Sequence, residues 1–140
     1  MHTKTVYQDD FHTIAYAPQN DCVVYQACGA PQSSEHLRQG LLKILEISRG
    51  NSRTPINYLA DLRQTHMPPL PDTIWVNEVF LPLILKRGVR KMAWVVPERN
   101  LPQLAMEYVI NKVIPPTCEW MFFDNPDDAQ AWLEESESGF

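Results

Sequence analysis

Glycine is scarce in this chain, five in 140 residues, and no two of the five lie close together. A phosphate-cradling loop needs several glycines in one short run, so nucleotide-loop chemistry is not expected. Cysteine is scarcer still, with Cys22, Cys28 and Cys118 alone. Their odd number and irregular spacing match neither a zinc motif nor a redox pair. Each reads instead as a small apolar group in a strand. No apolar run approaches the roughly 18 residues of a membrane-spanning helix. The opening Met1-His2-Thr3-Lys4-Thr5 has no apolar signal core, and a cytosolic location is expected. Basic residues are in the minority, 12 against 17 acidic ones, for a formal net charge of -5. That balance argues against nucleic acid as a partner, and against charge-driven binding to anionic membranes. No cofactor is expected.

Proline is present in quantity, twelve residues in all, mostly between periodic segments, where it acts as punctuation. Phe11–Tyr16 and Cys22–Ala27 are rich in β-branched and aromatic residues. Pro18-Gln19-Asn20-Asp21 between them is turn chemistry, so the pair reads as an antiparallel hairpin whose first strand is a sheet edge. Ser33 or Ser34 can cap a helix that carries Leu37, Leu41, Ile44, Leu45 and Ser48 at helical spacing and stops at Arg49-Gly50. Ile56–Ala60 is a third strand, ending on Asp61-Leu62-Arg63. A loop with three prolines follows. Asp72 can cap the next helix, with Val76, Phe80, Leu83 and Ile84 on its inner face. Pro82 should kink it, and Lys86-Arg87-Gly88 should stop it.

Lys91–Val96 is a short strand, and its unbroken apolar run suggests burial on both faces. Asn100 caps a third helix carrying Leu101, Leu104, Ala105, Tyr108 and Lys112. Thr117–Phe123 is a fifth strand. Asn125-Pro126 opens a last helix with Ala129, Trp132 and Leu133 inward. Residues 134–140 read as a frayed acidic tail. The expected architecture is a single α/β domain, with a five-stranded, mostly parallel mixed sheet, an N-terminal antiparallel hairpin and four helices.

That order resembles the STAS, or anti-sigma-factor-antagonist-like, fold, and within it the bacterial SpoIIAA-like group. The resemblance is carried by Leu59-Ala60-Asp61-Leu62-Arg63, Trp75, Pro82, the run from Gly88 to Glu98, and the closing Phe123, Asp124, Ala129, Ala131, Trp132 and Leu133. It implies a non-catalytic regulatory module that binds a partner protein. Some such domains are switched by phosphorylation of a hydroxyl at the helix after the third strand, in an Asp-Ser-Ser/Thr-Gly run. Here that stretch reads Pro71-Asp72-Thr73-Ile74, with one hydroxyl and no glycine. The broader fold includes lipid-binding relatives, so a carrier of a small apolar ligand is the alternative.

Asp61, Arg63, Asp72, Thr73 and Trp75 are the candidate binding residues. In an open parallel sheet, ligands bind beyond the carboxyl ends of the strands, and Asp61-Leu62-Arg63 reads as such an end. Arg63 suits planar anion recognition or pairing with a neighbouring carboxylate, and Asp61 reads as an acceptor of backbone N–H groups. Thr73 is a conceivable phosphoacceptor but reads first as an ordinary helix residue. Trp75 could line a pocket or anchor an interface, with packing against the sheet as the alternative role. A hydrolase-type reading would need Asp61, Arg63, His66 and Asp72 to converge, and no nucleophile motif accompanies them. His2, His12 and His36 are scattered along the chain, which argues against a metal site. Self-association through the exposed hairpin edge is a further expectation.

Overall fold

The computed structural model describes residues 3–50, 55–97 and 111–135. Six strands form one sheet in the order β1-β2-β3-β4-β5-β6. They are β1 (Lys4–Gln8), β2 (His12–Ala17), β3 (Cys22–Gly29), β4 (Asn57–Thr65), β5 (Lys91–Val95) and β6 (Glu119–Phe123). β1, β2 and β3 are antiparallel neighbours, and β3 through β6 run parallel. The sheet thus has one strand more than expected. The added strand is β1, whose residues are all exposed except the half-buried Tyr7. It buries too little apolar surface to show an alternating pattern. The exposed edge is therefore β1, and β2 lies inside the sheet.

The hairpin turn forms as expected. Pro18–Asn20 make a single 3-10 turn, and Asp21 takes a left-handed backbone conformation with φ of 48°. β4 departs from expectation. It does not stop at Asp61 but runs to Thr65, pairing Gln64 and Thr65 with Cys28 and Gly29 across a shift in register. Its ladder with β5 does end at Asp61, opposite Val95.

Helix α1 (Ser34–Gly50) starts at Ser33, whose hydroxyl accepts from the His36 N–H at 3.0 Å. The next helical stretch is continuous but not uniform. It comprises α2 (Leu70–Trp75), a π turn over Val76–Phe80, and α3 (Leu81–Lys86). The wide turn precedes Pro82, whose missing N–H and ring disfavour a regular helix there. Gly88 then ends the stretch with φ of 105°. Residues 111–113 are helical, whereas the expected cap at Asn100 and the stripe from Leu101 to Tyr108 lie outside the described residues. So does the tail beyond residue 135. Asn125 caps α4 (Pro126–Glu134) by accepting from the Asp128 N–H.

Side chains alternate across the sheet, so each strand serves two layers. Ile14, Val23, Tyr25, Tyr58, Ala60, Met92 and Trp94 pack with Leu37, Leu41 and Ile44 of α1 and with Phe80, Leu81 and Ile84 from the second helical stretch. On the opposite face, Ala17, Cys22, Leu59, Ala93 and Val95 pack with Ala129 and Leu133 of α4. Lys91 is buried on the α4 side. Its Nζ donates to the Trp132 carbonyl at 2.7 Å and lies 4.0 Å from the Trp132 ring.

Candidate functional site

The five residues named from the sequence fall into two sets on opposite sides of the sheet. Asp61 shares the α4 face with Leu59. Arg63, two residues further along β4, is on that face as well. The Arg63 guanidinium closes on the Asp61 carboxylate through two bonds, Nε to Oδ1 at 2.9 Å and a terminal nitrogen to Oδ2 at 2.8 Å. The Arg63 backbone N–H reaches Oδ1 at 3.2 Å. Asp61 therefore accepts a backbone N–H as expected, and it is also the carboxylate that occupies Arg63. The bond to Asp61 raises the Arg63 pKa further above its ordinary range. A shallow hollow of about 160 Å³ lies beside Asp61, among Thr3, Val24, Gln26, Leu59, Pro126 and Gln130. Pockets for small organic ligands start at roughly 300 Å³.

Asp72, Thr73 and Trp75 belong to the other layer. Asp72 does not cap α2. That helix opens two residues earlier, after Pro69, and Asp72 sits in its first turn, 2% exposed. Its carboxylate faces α1, where Oδ2 accepts from the Ser34 hydroxyl at 2.9 Å and Oδ1 from the Arg38 Nε at 3.1 Å. The Arg38 guanidinium also lies over the Trp75 ring, 5.4 Å from its centroid, and Trp75 stacks on Phe80. Asp72 and Trp75 thus dock α2 against α1. The Thr73 hydroxyl donates to the Pro68 carbonyl at 3.1 Å. His66 is exposed in the connection after β4. Asp61 and Asp72 point into different layers, so the four groups of a hydrolase-type site do not meet in one concave place.

Beside the exposed His66, the β4–α2 connection and α2 itself present a set of apolar side chains to solvent. Leu70 is 71% exposed, and Met67 and Ile74 are each 44% exposed. Leu70 and Ile74 are four residues apart in α2 and share a face. The π turn spaces residues five apart onto one side, which continues the stripe to Val79, 38% exposed.

A third constellation escaped the sequence reading. Asp9, His12 and His36 come together where the β1–β2 turn meets the head of α1. Asp9 Oδ1 accepts the backbone N–H groups of Phe11 and His12 at 2.8 and 2.7 Å. Its Oδ2 accepts from the Tyr7 hydroxyl at 2.8 Å and from His36 Nε2 at 3.0 Å. Burial pushes the Asp9 pKa up. The bonds from His12, Phe11, Tyr7 and His36 outweigh it and hold the carboxyl well below the usual range. His12 is fully buried, with Nδ1 on the Tyr25 hydroxyl at 2.8 Å and Nε2 on the His36 carbonyl at 3.0 Å. Burial is the main cause lowering the His12 pKa. His36 Nδ1 accepts the Gln32 N–H. The residue types suit a divalent metal, but every ring nitrogen and both carboxylate oxygens already have protein partners. One sequence signal pointed here: Gly40 lies inside α1, where glycine weakens a helix. A β-carbon there would overlap the His12 ring.

No helix among the described residues is long and apolar enough to cross a membrane. No family model matches the chain, and no curated protein matches it. Among solved structures, the chain is similar to an uncharacterised protein of the DUF3478 family from Shewanella loihica PV-4, which has a SpoIIAA-like fold. The TM-score is 0.56 at 20% identity, covering 94% of this chain and 92% of that one. The six-stranded α/β sheet with its helical layers is thus a SpoIIAA-like fold.

Proposed function

We propose that this chain is a non-catalytic, STAS-like regulatory module that binds a partner protein through the apolar rim after β4. The observation that carries the reading is the exposure of Leu70 and Ile74 on the short helix α2, and of Met67 in the connection before it, a stretch stiffened by Pro68, Pro69 and Pro71. Exposed apolar side chains held on a rigid element are what a protein interface buries at its centre. The neighbouring polar groups support a binding role over a catalytic one. Asp61 is closed on Arg63, Asp72 on Ser34 and Arg38, and the Thr73 hydroxyl on Pro68. A phosphoswitch at Thr73 has no support in this geometry, because the hydroxyl points back at its own loop.

The test is affinity capture from the host cell with the wild type, with Leu70→Glu/Ile74→Glu, and with Arg63→Ala. Both substituted leucine and isoleucine side chains are exposed, so folding should be retained, with stability changed by no more than about 0.5 kcal/mol per site. The charged rim should lose the captured protein, and Arg63→Ala should keep it. Capture that survives the double substitution and fails with Arg63→Ala would move the interface to the α4 side of the sheet.

A further inference from the structure

The head of α1 touches two parts of the fold at once. His36 faces the β1–β2 turn through Asp9, while Ser34 and Arg38, in the same two turns, hold Asp72 of α2. Between α1 and the sheet lies His12, with no exposed surface and its ring against Gly40. One ring proton follows from its partner. A carbonyl only accepts, so Nε2 carries a proton and donates to His36, while Nδ1 pairs with the Tyr25 hydroxyl, which can donate or accept. Burial favours the neutral imidazole, in which Nδ1 accepts from the Tyr25 hydroxyl.

The nearest counter-charge to the ring is the Asp9 carboxylate, whose attraction opposes the effect of burial without overcoming it. The groups facing the ring are Asp9 from the β1–β2 turn, Tyr25 from β3 and His36 from α1. Further out, Tyr7 bonds Asp9 and Lys43 lies over the Tyr7 ring. The Asp9 carboxylate already accepts four hydrogen bonds, one of them from the His12 backbone and none from its ring. Lys43, and His36 when protonated, add positive charge nearby.

We propose that Asp9, His12 and His36 form a proton-operated joint, in which a second proton on His12 releases the β1–β2 turn from the head of α1 and loosens the hold of α1 on α2. With Nδ1 protonated, the Tyr25 hydroxyl must turn from donor to acceptor, its own proton loses the Nδ1 acceptor, and the ring becomes a cation in a sealed site. Gly40 leaves the ring no room to shift inward, so relief comes by parting the turn from the helix. The proton comes from solvent, and no covalent step is involved. The direction in pH follows from burial. A folded-state histidine pKa below the unfolded value favours the neutral ring. Its stabilisation is complete above the ordinary value of about 6.5 and is lost as pH falls through the folded value. The bearing on partner binding rests on the rim reading above, because α2 carries Leu70 and Ile74.

The joint is tested on the whole chain without a partner, so its failure is separate from a failed capture at neutral pH. Histidine NMR would follow His12 and His36 from about pH 7.5 to about pH 5. Amide exchange, corrected for its own pH dependence, would be read in parallel. His12 should hold the Nε2–H tautomer at neutral pH and titrate below the ordinary histidine range. As it titrates, protection at residues 9–13, 34–38 and 70–75 should fall at least tenfold, with β4 and β5 still protected. His36→Gln keeps the backbone carbonyl that holds His12, and should still open. Titration of His12 at or above the ordinary value overturns the joint. So does unchanged protection, loss confined to residues 9–13, loss spread equally over β4 and β5, or a His36→Gln protein that no longer responds.

Discussion

Gly40 and His12 form a pair whose members make sense only together. Glycine in a helix interior costs about 1 kcal/mol relative to alanine, so an unconstrained helix would gain from the exchange. Here a β-carbon at residue 40 would run into the His12 ring, which is enclosed on every side. Gly40→Ala should therefore destabilise the protein by about 1–3 kcal/mol in urea unfolding, against the sign of helix propensity. His12→Ala removes the obstacle, so the double variant should be more stable than the sum of the two losses, by about 1 kcal/mol or more. Simple additivity would mean that the helix backs away from the ring at little cost. The three sequence positions gave no hint of this cluster, because 9, 12 and 36 are joined only by the packing of a turn on a helix. The helix-interior glycine was the one trace of the contact in the sequence.

The elements best read from the sequence are those whose own chemistry closes them. The hairpin turn at Pro18–Asp21, the Ser33 cap, the Gly88 stop and the Asn125-Pro126 start all lie where local hydrogen bonds put them. The elements that differ from expectation are ones whose extent depends on a neighbour. β1 exists by pairing with β2 and buries little itself. β4 runs past Asp61 because β3 continues alongside it. Asp72 resembles a cap in sequence, yet Pro69 already opens the helix, and the carboxylate is drawn across to α1. This contact can be tested through α2 itself. Asp72→Ala leaves the Ser34 hydroxyl and Arg38 without their acceptor. Arg38 is partly exposed and water can replace the lost bond, which keeps the expected cost to about 1–3 kcal/mol. Amide exchange should then quicken in residues 70–75 more than in α4. An equal effect on both helices would mean that Asp72 supports the whole domain and not one docking contact.

Among the described residues the sheet has two unequal coats, and the cysteines report on each. α1 and the α2–α3 stretch cover one face with a large aromatic-rich core, whereas α4 covers the other with nine residues and two buried side chains, Ala129 and Leu133. The thin coat should open locally more often than the thick one. Cys22 is fully buried under α4, and burial raises its thiol pKa far above the ordinary value. Cys118 belongs to the other core, where burial raises its pKa to about 11. Cys28 is exposed. A thiol reacts as thiolate, so native protein treated with a thiol reagent should label at Cys28 at once and at the other two only through opening. Lys91 ties the end of α4 to β5 through the Trp132 carbonyl and ring, and Leu133 fills the space beneath. Lys91→Ala or Leu133→Ala should therefore accelerate Cys22 labelling, followed by mass spectrometry, while the Cys118 rate changes much less. Equal acceleration of both thiols would show that the two coats come off in one cooperative step. The smaller helix would then be integral to the domain rather than a separately opening lid on the Asp61 side of the sheet.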